Sequence, residues 1–383
     1  MANAKDRVTE ESNAGPSTFT GEKYTYDRWM ESRGLPIYRG FYIPDPRELD
    51  LGWWGDRGCM SAFIQLKGQE GISEARITEI PPGSTLSVQK FALDEVVYVL
   101  EGRGLVTTWA NESAARRTVE WQPHSVFMLP RNHYHQLTNT AGTKRVRLLH
   151  YNYMPLAMTV IPDPEFFFNN PFVSSANLED PDNTFYSEAR SEARSADDGG
   201  GFLWYGNIFP DMRVWDRLDT HKTRGAGGHR VFIQFPNSEL SCHMSVFPAQ
   251  TYKKAHRHGP GRVIIIPAGE GYSIMWEEGK EEVVVPWKEF SVFVPPNRWF
   301  HQHFNAGGAP ARYLAMHPPG QFHGYSDEKV RDLENDQIEY TRESPWIRQK
   351  FEAELSKRNL TSLMPDAAYT DKNYQWSYDE AGG

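Results

Sequence analysis

The chain of 383 residues contains one pattern twice. The stretch VQKFALDEVVYVLEG (88–102) aligns without a gap with AHRHGPGRVIIIPAG (255–269), so Gln89 corresponds to His256 and Gly102 to Gly269. The stretch PRNHYHQLTN (130–139) aligns with PNRWFHQHFN (296–305) in the same way, and the offset in residue number is smaller by only one. A long repeat with a nearly constant offset indicates a duplicated domain.

Each copy contains two short motifs. In the first copy the motif positions are Gly83, Glu95, Gly102, Pro130, His135 and Asn139. In the second copy they are His256, His258, Gly269, Pro296, His301 and Asn305. Both copies resemble the cupin family, whose first motif places His-x-His and a Glu between two glycines and whose second combines a Pro-x-Gly turn with a His and an Asn. The first copy has Gln89 and Phe91 in place of the histidine pair, and the second has Arg262 in place of the Glu.

The resemblance covers roughly residues 60–320, which is most of the chain. It implies an all-β fold of two tandem cupin barrels (double-stranded β-helix, jelly-roll) with short flanking helices. Runs such as EVVYVLEG, SVFMLP and RVIIIPAG agree with this, because they are rich in β-branched and aromatic residues and end at Gly or Pro. We expect an N-terminal arm (1–59), a first barrel with a degenerate metal site (60–160), a linker and connecting arm (161–225), a second barrel with the metal site (226–320) and a C-terminal helix and tail (321–383).

Helical patterns are confined to the edges of the chain, at TYDRWMESRG (25–34) and SPWIRQKFEAELSKRN (344–359). Ser344 and Pro345 fit the N-cap and the first helical position. The apolar side chains expected on one face of this second helix are Trp346, Phe351 and Leu355. The polar stretch 174–201 has few large apolar groups and is predicted to be the linker between the barrels or an exposed loop.

The charge balance bears on the partners. The chain has 41 basic and 50 acidic residues, a formal net charge of -9, which disfavours nucleic acid and anionic membranes as partners. The sequence contains no apolar run long enough to span a membrane, and its first residues lack the apolar core of a secretory signal, so we expect a soluble, cytoplasmic protein. Cys59 and Cys242 are far apart in the sequence and are predicted to be reduced thiols.

The histidines of the second copy predict a metal site. His256 and His258 are separated by a single residue, so on a strand both imidazoles project from one face, which in a barrel can be the interior. His301 arrives from a second strand. Three neutral imidazoles suit a divalent transition ion and leave coordination positions open for water or substrate. The alternative is that these are surface histidines, or core histidines with ordinary hydrogen bonds.

Three further residues could act beside the metal. His303 shares strand parity with His301 and is predicted to be an acid/base or substrate-contacting group rather than a fourth ligand. Arg262 shares parity with His258, and its planar guanidinium suits a substrate carboxylate held bidentately; the alternative is that it turns outward or pairs with an acidic residue. His243 is a weaker candidate for substrate binding, for which a structural role is the favoured alternative.

The first copy is a poor metal site. Glu95 and His135 could ligate an ion, but Phe91 occupies a ligand position and donates nothing. We therefore expect this barrel to serve structure or a subunit interface. His133, close before His135 in the sequence, leaves open a site rescued by another ligand.

A bicupin centre of three histidines without a carboxylate is similar to that of gentisate and salicylate 1,2-dioxygenases. This resemblance implies one divalent metal per chain, with Fe(II) favoured over Mn, Ni, Cu or Zn, a small, aromatic hydroxy-carboxylate substrate, O2 as co-substrate, and a homo-oligomer, either a dimer or a tetramer. Those enzymes are usually catalytic in the first barrel, whereas only the second is equipped here. Two alternatives stay open: a non-redox decarboxylase, isomerase or hydrolase of a small carboxylate, and a non-catalytic binding or accessory bicupin.

Overall fold

The computed structural model describes residues 20–69, 71–168, 170–173, 189–194, 201–214, 218–320 and 335–378. Within these ranges the chain is mostly β, as predicted. The strands of the first half are β1 Ile37–Gly40, β2 Tyr42–Ile43, β3 Gly52–Trp54, β4 Cys59–Leu66, β5 Glu74–Ile80, β6 Gln89–Lys90, β7 Glu95–Glu101, β8 Gly104–Trp109, β9 Arg117–Trp121, β10 Val126–Leu129, β11 Tyr134–Asn139 and β12 Val146–Asn152. Those of the second half are β13 Arg190–Ala193, β14 Phe202–Tyr205, β15 Ile208–Phe209, β16 Asp219–Thr220, β17 His229–Gln234, β18 Ser241–Phe247, β19 Ala255–His256, β20 Val263–Ala268, β21 Glu270–Trp276, β22 Val283–Lys288, β23 Val292–Phe293, β24 Phe300–Asn305, β25 Ala311–His317 and β26 Gln337–Ile338.

The helices are α1 Thr25–Ser32, α2 Met154–Val160 and α3 Pro345–Ser356. The two predicted helices are confirmed, and α2 was not foreseen. Ser344 occupies the N-cap of α3, but its side chain makes no capping hydrogen bond. Phe351 and Leu355 are buried together with Ile347, and Trp346 packs against the same cluster while partly exposed. No helix in the described ranges is long and apolar enough to cross a membrane.

The two halves have the same topology. The order β4-β5-β12-β7-β10 forms the centre of an eight-stranded sheet, and β17-β18-β25-β20-β23 forms the centre of a nine-stranded sheet in the corresponding order. The smaller sheets correspond as well, since β6-β11-β8-β9 matches β19-β24-β21-β22. Each half is therefore a barrel of one large and one small sheet, and the predicted tandem of cupin-type barrels is confirmed as the fold.

The segments before the two barrels also repeat, and each of them pairs with strands of both barrels. IYRGFYIP (37–44) and LWYGNIFP (203–210) align at the offset of the second motif. In the first segment, β1 pairs with β4 of the first barrel, but β2 pairs with β23 of the second barrel. In the second segment, β14 pairs with β17 of the second barrel, but β15 pairs with β10 of the first. The repeat thus extends beyond the predicted region of 60–320, and each arm joins the two barrels.

The large sheets pack against each other through one apolar core. Their outward faces contribute to a single cluster of buried side chains, of which Ile77, Val96 and Leu149 come from the first barrel and Met244, Ile265 and Leu314 from the second. Tyr151 donates a hydrogen bond across this interface to the carbonyl of Gly261, at 2.8 Å. Burial of this much apolar surface holds the barrels together, and it leaves the inward face of each large sheet to line its own lumen.

The loops that end the second motif are fixed in the same way in both barrels. The side-chain amide of Asn139 donates to the carbonyls of Ile80, Pro81 and Lys144, and that of Asn305 to the carbonyls of Phe247, Pro248 and Ala309. Asn132 and Arg298, where the cupin motif has Gly, both adopt a left-handed backbone, with φ of 57° and 60°. The turn that places each following histidine is therefore kept without the glycine.

The C-terminal segment covers the outside of the second barrel. β26 pairs with β19, and α3 packs on the outer face of the small sheet in a cluster that includes Tyr252, Phe304 and Phe351. Beneath α3, the carboxylate of Glu343 accepts hydrogen bonds from the Tyr252 hydroxyl and from the Gln302 amide. Gln302 lies between His301 and His303 on β24 and points away from the lumen. This contact therefore holds the outer side of β24, the strand that carries the candidate site residues His301 and His303.

Replacing Glu343 by Gln should remove part of the pH dependence of stability. Burial raises the pKa of Glu343 to about 7. Because the folded-state pKa lies above the unfolded value of about 4.3, stability contributed by the protonated form is lost as the pH rises from about 4.5 to about 7. Above pH 7, the free energy of unfolding of the variant should exceed that of the wild type by roughly 1 to 3 kcal/mol. It is measured by urea unfolding at pH 5 and pH 8. The exposed Glu281→Gln variant is the control; an unchanged pH slope in Glu343→Gln would contradict the assignment.

Candidate metal centre

Three histidines meet inside the second barrel, as predicted. His256 ends β19, His258 follows shortly after it, and His301 lies on β24 directly opposite His256 in the antiparallel register. One ring nitrogen of each histidine lies within 4.8 Å of those of the other two. The ring centroids are 4.2 Å apart for His256 and His301 and 4.6 Å apart for His258 and His301. Among the described residues, this is the group of side chains that could hold a metal ion.

The hydrogen bonds of the three rings orient them for a metal. Each Nδ1 faces a backbone carbonyl, namely that of Lys254 for His256 (3.3 Å), Gly259 for His258 (2.7 Å) and Trp299 for His301 (3.2 Å). A carbonyl only accepts, so each Nδ1 carries the hydrogen and each Nε2 keeps a free lone pair. This is the tautomer that a metal-binding histidine uses, so the donor set fits a divalent transition ion held by three Nε2 atoms.

The surroundings keep these imidazoles neutral. Burial lowers the pKa of His301 to about 3. Burial, followed by the charge of Arg224, holds the pKa of His256 well below its ordinary value, and burial followed by Arg262 does the same for His258. Neutral imidazole is the form that ligates a metal. The burial and cationic neighbours therefore favour the ligand state.

The charge of Arg262 acts on the second lumen, and the predicted inward direction of its side chain stays a prediction. It immediately precedes β20 and has the same parity as Ile264 and Ile266, which belong to the apolar cluster inside the second barrel. After burial, its charge is the largest influence that lowers the pKa of His258 and of His317. The guanidinium charge therefore acts on the metal centre from the β20 side.

Arg224 is a second arginine at the centre, and sequence reasoning missed it. It ends a 3-10 turn, Lys222–Arg224, and donates to the side-chain oxygen of Gln337 at 2.5 Å. Its charge lowers the pKa of His256, His301 and His303 in addition to their burial. A signal was available, because Arg224 and the left-handed glycine after it align with Arg57 and Gly58 at the offset of the first motif.

His303 lies beside the centre but is not one of the three clustered ligands. It points into the lumen from β24, with its ring centroid 5.5 Å from that of His301. Its Nδ1 is hydrogen-bonded to the hydroxyl of Ser273 at 2.8 Å, and that hydroxyl accepts from Nε1 of Trp287 at 3.0 Å. Burial lowers the pKa of His303 well below its ordinary value. The ring is thus fixed by Ser273, and its acid/base role stays a prediction.

His243 is part of a pair with His317, which sequence reasoning did not single out. Nδ1 of His243 and Nε2 of His317 are 2.7 Å apart, so one ring donates and the other accepts. Burial holds the pKa of both rings well below the ordinary value. The buried amine of Lys253 is hydrogen-bonded to Ser245, and burial holds its pKa well below the ordinary value. The lumen therefore combines several neutral imidazoles with the charges of Arg224 and Arg262.

The first barrel has a different lumen at the same three positions. At the offset of the first motif, His243, Arg262 and His317 correspond to Arg76, Glu95 and His150. There Glu95 forms a buried ion pair with Arg76 at 2.6 Å and a hydrogen bond with His150 at 2.7 Å. Buried charges are stable when paired and hydrogen-bonded in this way.

The first barrel also lacks a ligand cluster. Phe91 packs against Phe168, with ring centroids 5.5 Å apart, where the second barrel has His258. His133 turns its Nδ1 to the carbonyl of Arg131, at 3.2 Å. Neither His133 nor His135 belongs to a three-residue ligand group within the described part of this barrel. The geometry gives no support to a rescue by His133, and the degenerate metal site of this barrel stays a prediction.

Comparison with known proteins adds only an architectural likeness. No protein-family model and no curated protein matches the sequence. Among solved structures, oxalate decarboxylase from Bacillus subtilis is similar with a TM-score of 0.43 and 10% identity over 73% of this chain and 76% of that chain. The formate complex of oxalate decarboxylase from Lactobacillus farciminis gives 0.45 and 11% over 73% and 86%. Another similar structure concerns the Mn(II) centres of the Bacillus enzyme. Similarity this low assigns neither a family nor a reaction.

Removing one imidazole should empty the metal site. The His258→Ala variant should lose nearly all bound metal, because two histidines hold a divalent ion far more weakly than three. Metal per chain is measured by elemental analysis after mild purification and dialysis. The matched control is His135→Ala, which removes a buried histidine from the first barrel and should leave metal content unchanged. Full occupancy in His258→Ala, or a loss in His135→Ala, would rule out this ligand assignment.

Proposed function

We propose that the protein is a metal-dependent enzyme that acts on a small carboxylate inside the second barrel. The observation that carries the proposal is the charge of the centre. Arg224 and Arg262 act on the three histidines from two different elements, and the histidines themselves are neutral. A divalent ion bound there would add positive charge beside both guanidinium groups, so an anionic substrate is the complement that such a site selects.

The arginines would bind and orient that substrate. A guanidinium holds a carboxylate through two parallel hydrogen bonds, which fixes its orientation as well as its position. Arg224 is itself held by Gln337, whose strand β26 pairs next to His256. Arg262 enters from the other side, beside His258. A carboxylate held between them would lie next to the Nε2 atoms of the cluster, where a bound divalent ion supplies Lewis acidity to polarise it.

Hydrogen-bonded imidazoles in the same lumen favour acid/base chemistry. His303 has one ring nitrogen on Ser273 and the other available to hold or move a proton. The rings of His243 and His317 share one hydrogen bond, with Nδ1 and Nε2 2.7 Å apart. Such groups suit a non-redox reaction in which a proton is added or removed, such as decarboxylation or isomerisation of the carboxylate.

A second candidate is an Fe(II) dioxygenase of a small hydroxy-carboxylate. The observation in its favour is the ligand set, since three neutral imidazoles without a carboxylate leave several coordination positions for substrate and O2. The full-length protein, loaded with Mn(II) or with Fe(II), should be incubated with a panel of aliphatic and aromatic carboxylates with and without O2. Product formation without O2 supports the first proposal, and strict dependence on O2 with matching O2 uptake supports the second. Metal-loaded protein that turns over none of them would favour a binding role.

Substituting Arg262 tests whether it holds the substrate. Arg262→Lys keeps the charge but loses the bidentate geometry, and Arg262→Ala loses both. Because a charge-assisted hydrogen bond contributes about 1.5 to 3 kcal/mol, kcat/KM for a carboxylate should fall on the order of 10- to 150-fold. Metal content should stay unchanged, since guanidinium is not a ligand. Arg103→Ala, an exposed arginine of the first barrel, is the control; wild-type kinetics in Arg262→Ala would mean that Arg262 does not bind substrate.

A further inference from the structure

Arg57 occupies the place in the first barrel that Arg224 has in the second. Each arginine ends a 3-10 turn, and each precedes a glycine in the left-handed region, with φ of 61° at Gly58 and 67° at Gly225. The two arginines align at the offset of the first motif. The duplicated fold therefore brings a guanidinium to the same part of each lumen.

The Arg57 side chain is buried among aromatic rings. Its accessible surface is reduced to 8% of the full value. The guanidinium carbon lies 4.9 Å from the ring centroid of Trp54, 5.0 Å from that of Phe168 and 5.8 Å from that of Phe91. Burial lowers the pKa of Arg57 to about 10, so the group is charged at neutral pH. The rings stabilise the charge by cation–π contacts but cannot accept its in-plane N–H hydrogen bonds.

The described residues provide Arg57 with no hydrogen-bond acceptor. Its buried Nε has no partner, and Nε1 of the adjacent Trp54 also has none. The carboxylates of Glu95 and Glu74 raise the pKa of Arg57 through their charge, but they bind other groups. Glu95 is held by Arg76 and His150, and Glu74 by Arg76 and Tyr26. Buried hydrogen-bond donors without an acceptor are unfavourable. A ligand that only accepts hydrogen bonds would therefore stabilise this part of the lumen.

The surroundings of Arg57 correspond to the metal centre. Phe91 and His135 stand where the second barrel has His258 and His301. The Phe91 ring contacts the Arg57 guanidinium, and the charge of Arg57 acts on His135. His135 is buried, and burial lowers its pKa to about 3, so it carries no competing charge. Beside the guanidinium, the first barrel thus presents the Phe91 ring where the second barrel presents the imidazole of His258.

We propose that the first barrel binds one small carboxylate on Arg57, without a metal. The planar fork of the guanidinium matches a carboxylate bidentately, and an aromatic surrounding suits the apolar part of an organic anion better than a hydrated inorganic one. The site is separate from the proposed reaction in the second barrel and does not depend on it. Its role would be that of a carboxylate-binding site in a barrel that has lost its metal ligands.

The test uses the full-length protein with Arg224→Ala and Arg262→Ala, so that the second barrel no longer presents its two arginines. Acetate is titrated calorimetrically at constant ionic strength, with chloride as the inorganic comparison. We expect one acetate per chain, and a loss of affinity on the order of tenfold or more when Arg57→Gln is added, because the bidentate contact is removed. Arg57→Lys, which keeps the charge and the fold but not the fork, should lose affinity as well.

The matched control is Arg47→Gln, which alters an arginine that also packs on a phenylalanine ring, that of Phe290 at 3.9 Å, but lies outside the first lumen. It should bind acetate with unchanged affinity. The proposal is overturned if the background protein binds no acetate, if the Arg57 variants bind it as well as their parent, or if chloride binds as tightly as acetate. Metal content of the second barrel should be the same in all Arg57 variants, so failure here leaves the proposed function untouched.

Discussion

A charge buried inside a barrel needs a partner of opposite sign, and the two barrels meet this requirement differently. In the first, Glu95 stands between Arg76 and His150, and the group is compensated within the protein. In the second, the position of Glu95 is taken by Arg262, and its neighbours are neutral imidazoles. Two exchanges, of Glu95 for Arg262 and of Arg76 for His243, separate the ion-paired lumen of the first barrel from the lumen of the second.

The rest of the fold holds that contrast in place. The outward faces of the two large sheets form one apolar core. The buried polar groups described above lie in the lumens instead. The exchanged arms, residues 37–44 and 203–210, tie each barrel to the other by strand pairing. Pairing of β19 with β24 brings His256 and His301 face to face, and backbone carbonyls then fix the ring nitrogens. The metal centre is therefore set mainly by backbone geometry.

The sequence was sufficient for the fold and for the three clustered histidines, because strand parity and motif spacing determine both. It did not single out Arg224 and Arg57, because each arginine precedes the first motif of its barrel and lies outside both motifs. His317 ends a strand outside both motifs. Its place beside His243 follows only from the pairing of β25 with β18. The arms were missed because strands as short as β1 and β2 carry little periodic signal.

We propose that the second barrel holds a metal on three histidines and that the first barrel holds none. Anomalous diffraction at the absorption edge of the loaded metal, from crystals of the full-length protein, tests this most directly. We expect a single anomalous peak per chain, bonded to Nε2 of His256, His258 and His301, with no peak between Phe91 and His135. A peak in the first barrel, or one in the second barrel that leaves any of the three imidazoles unbound, would contradict it.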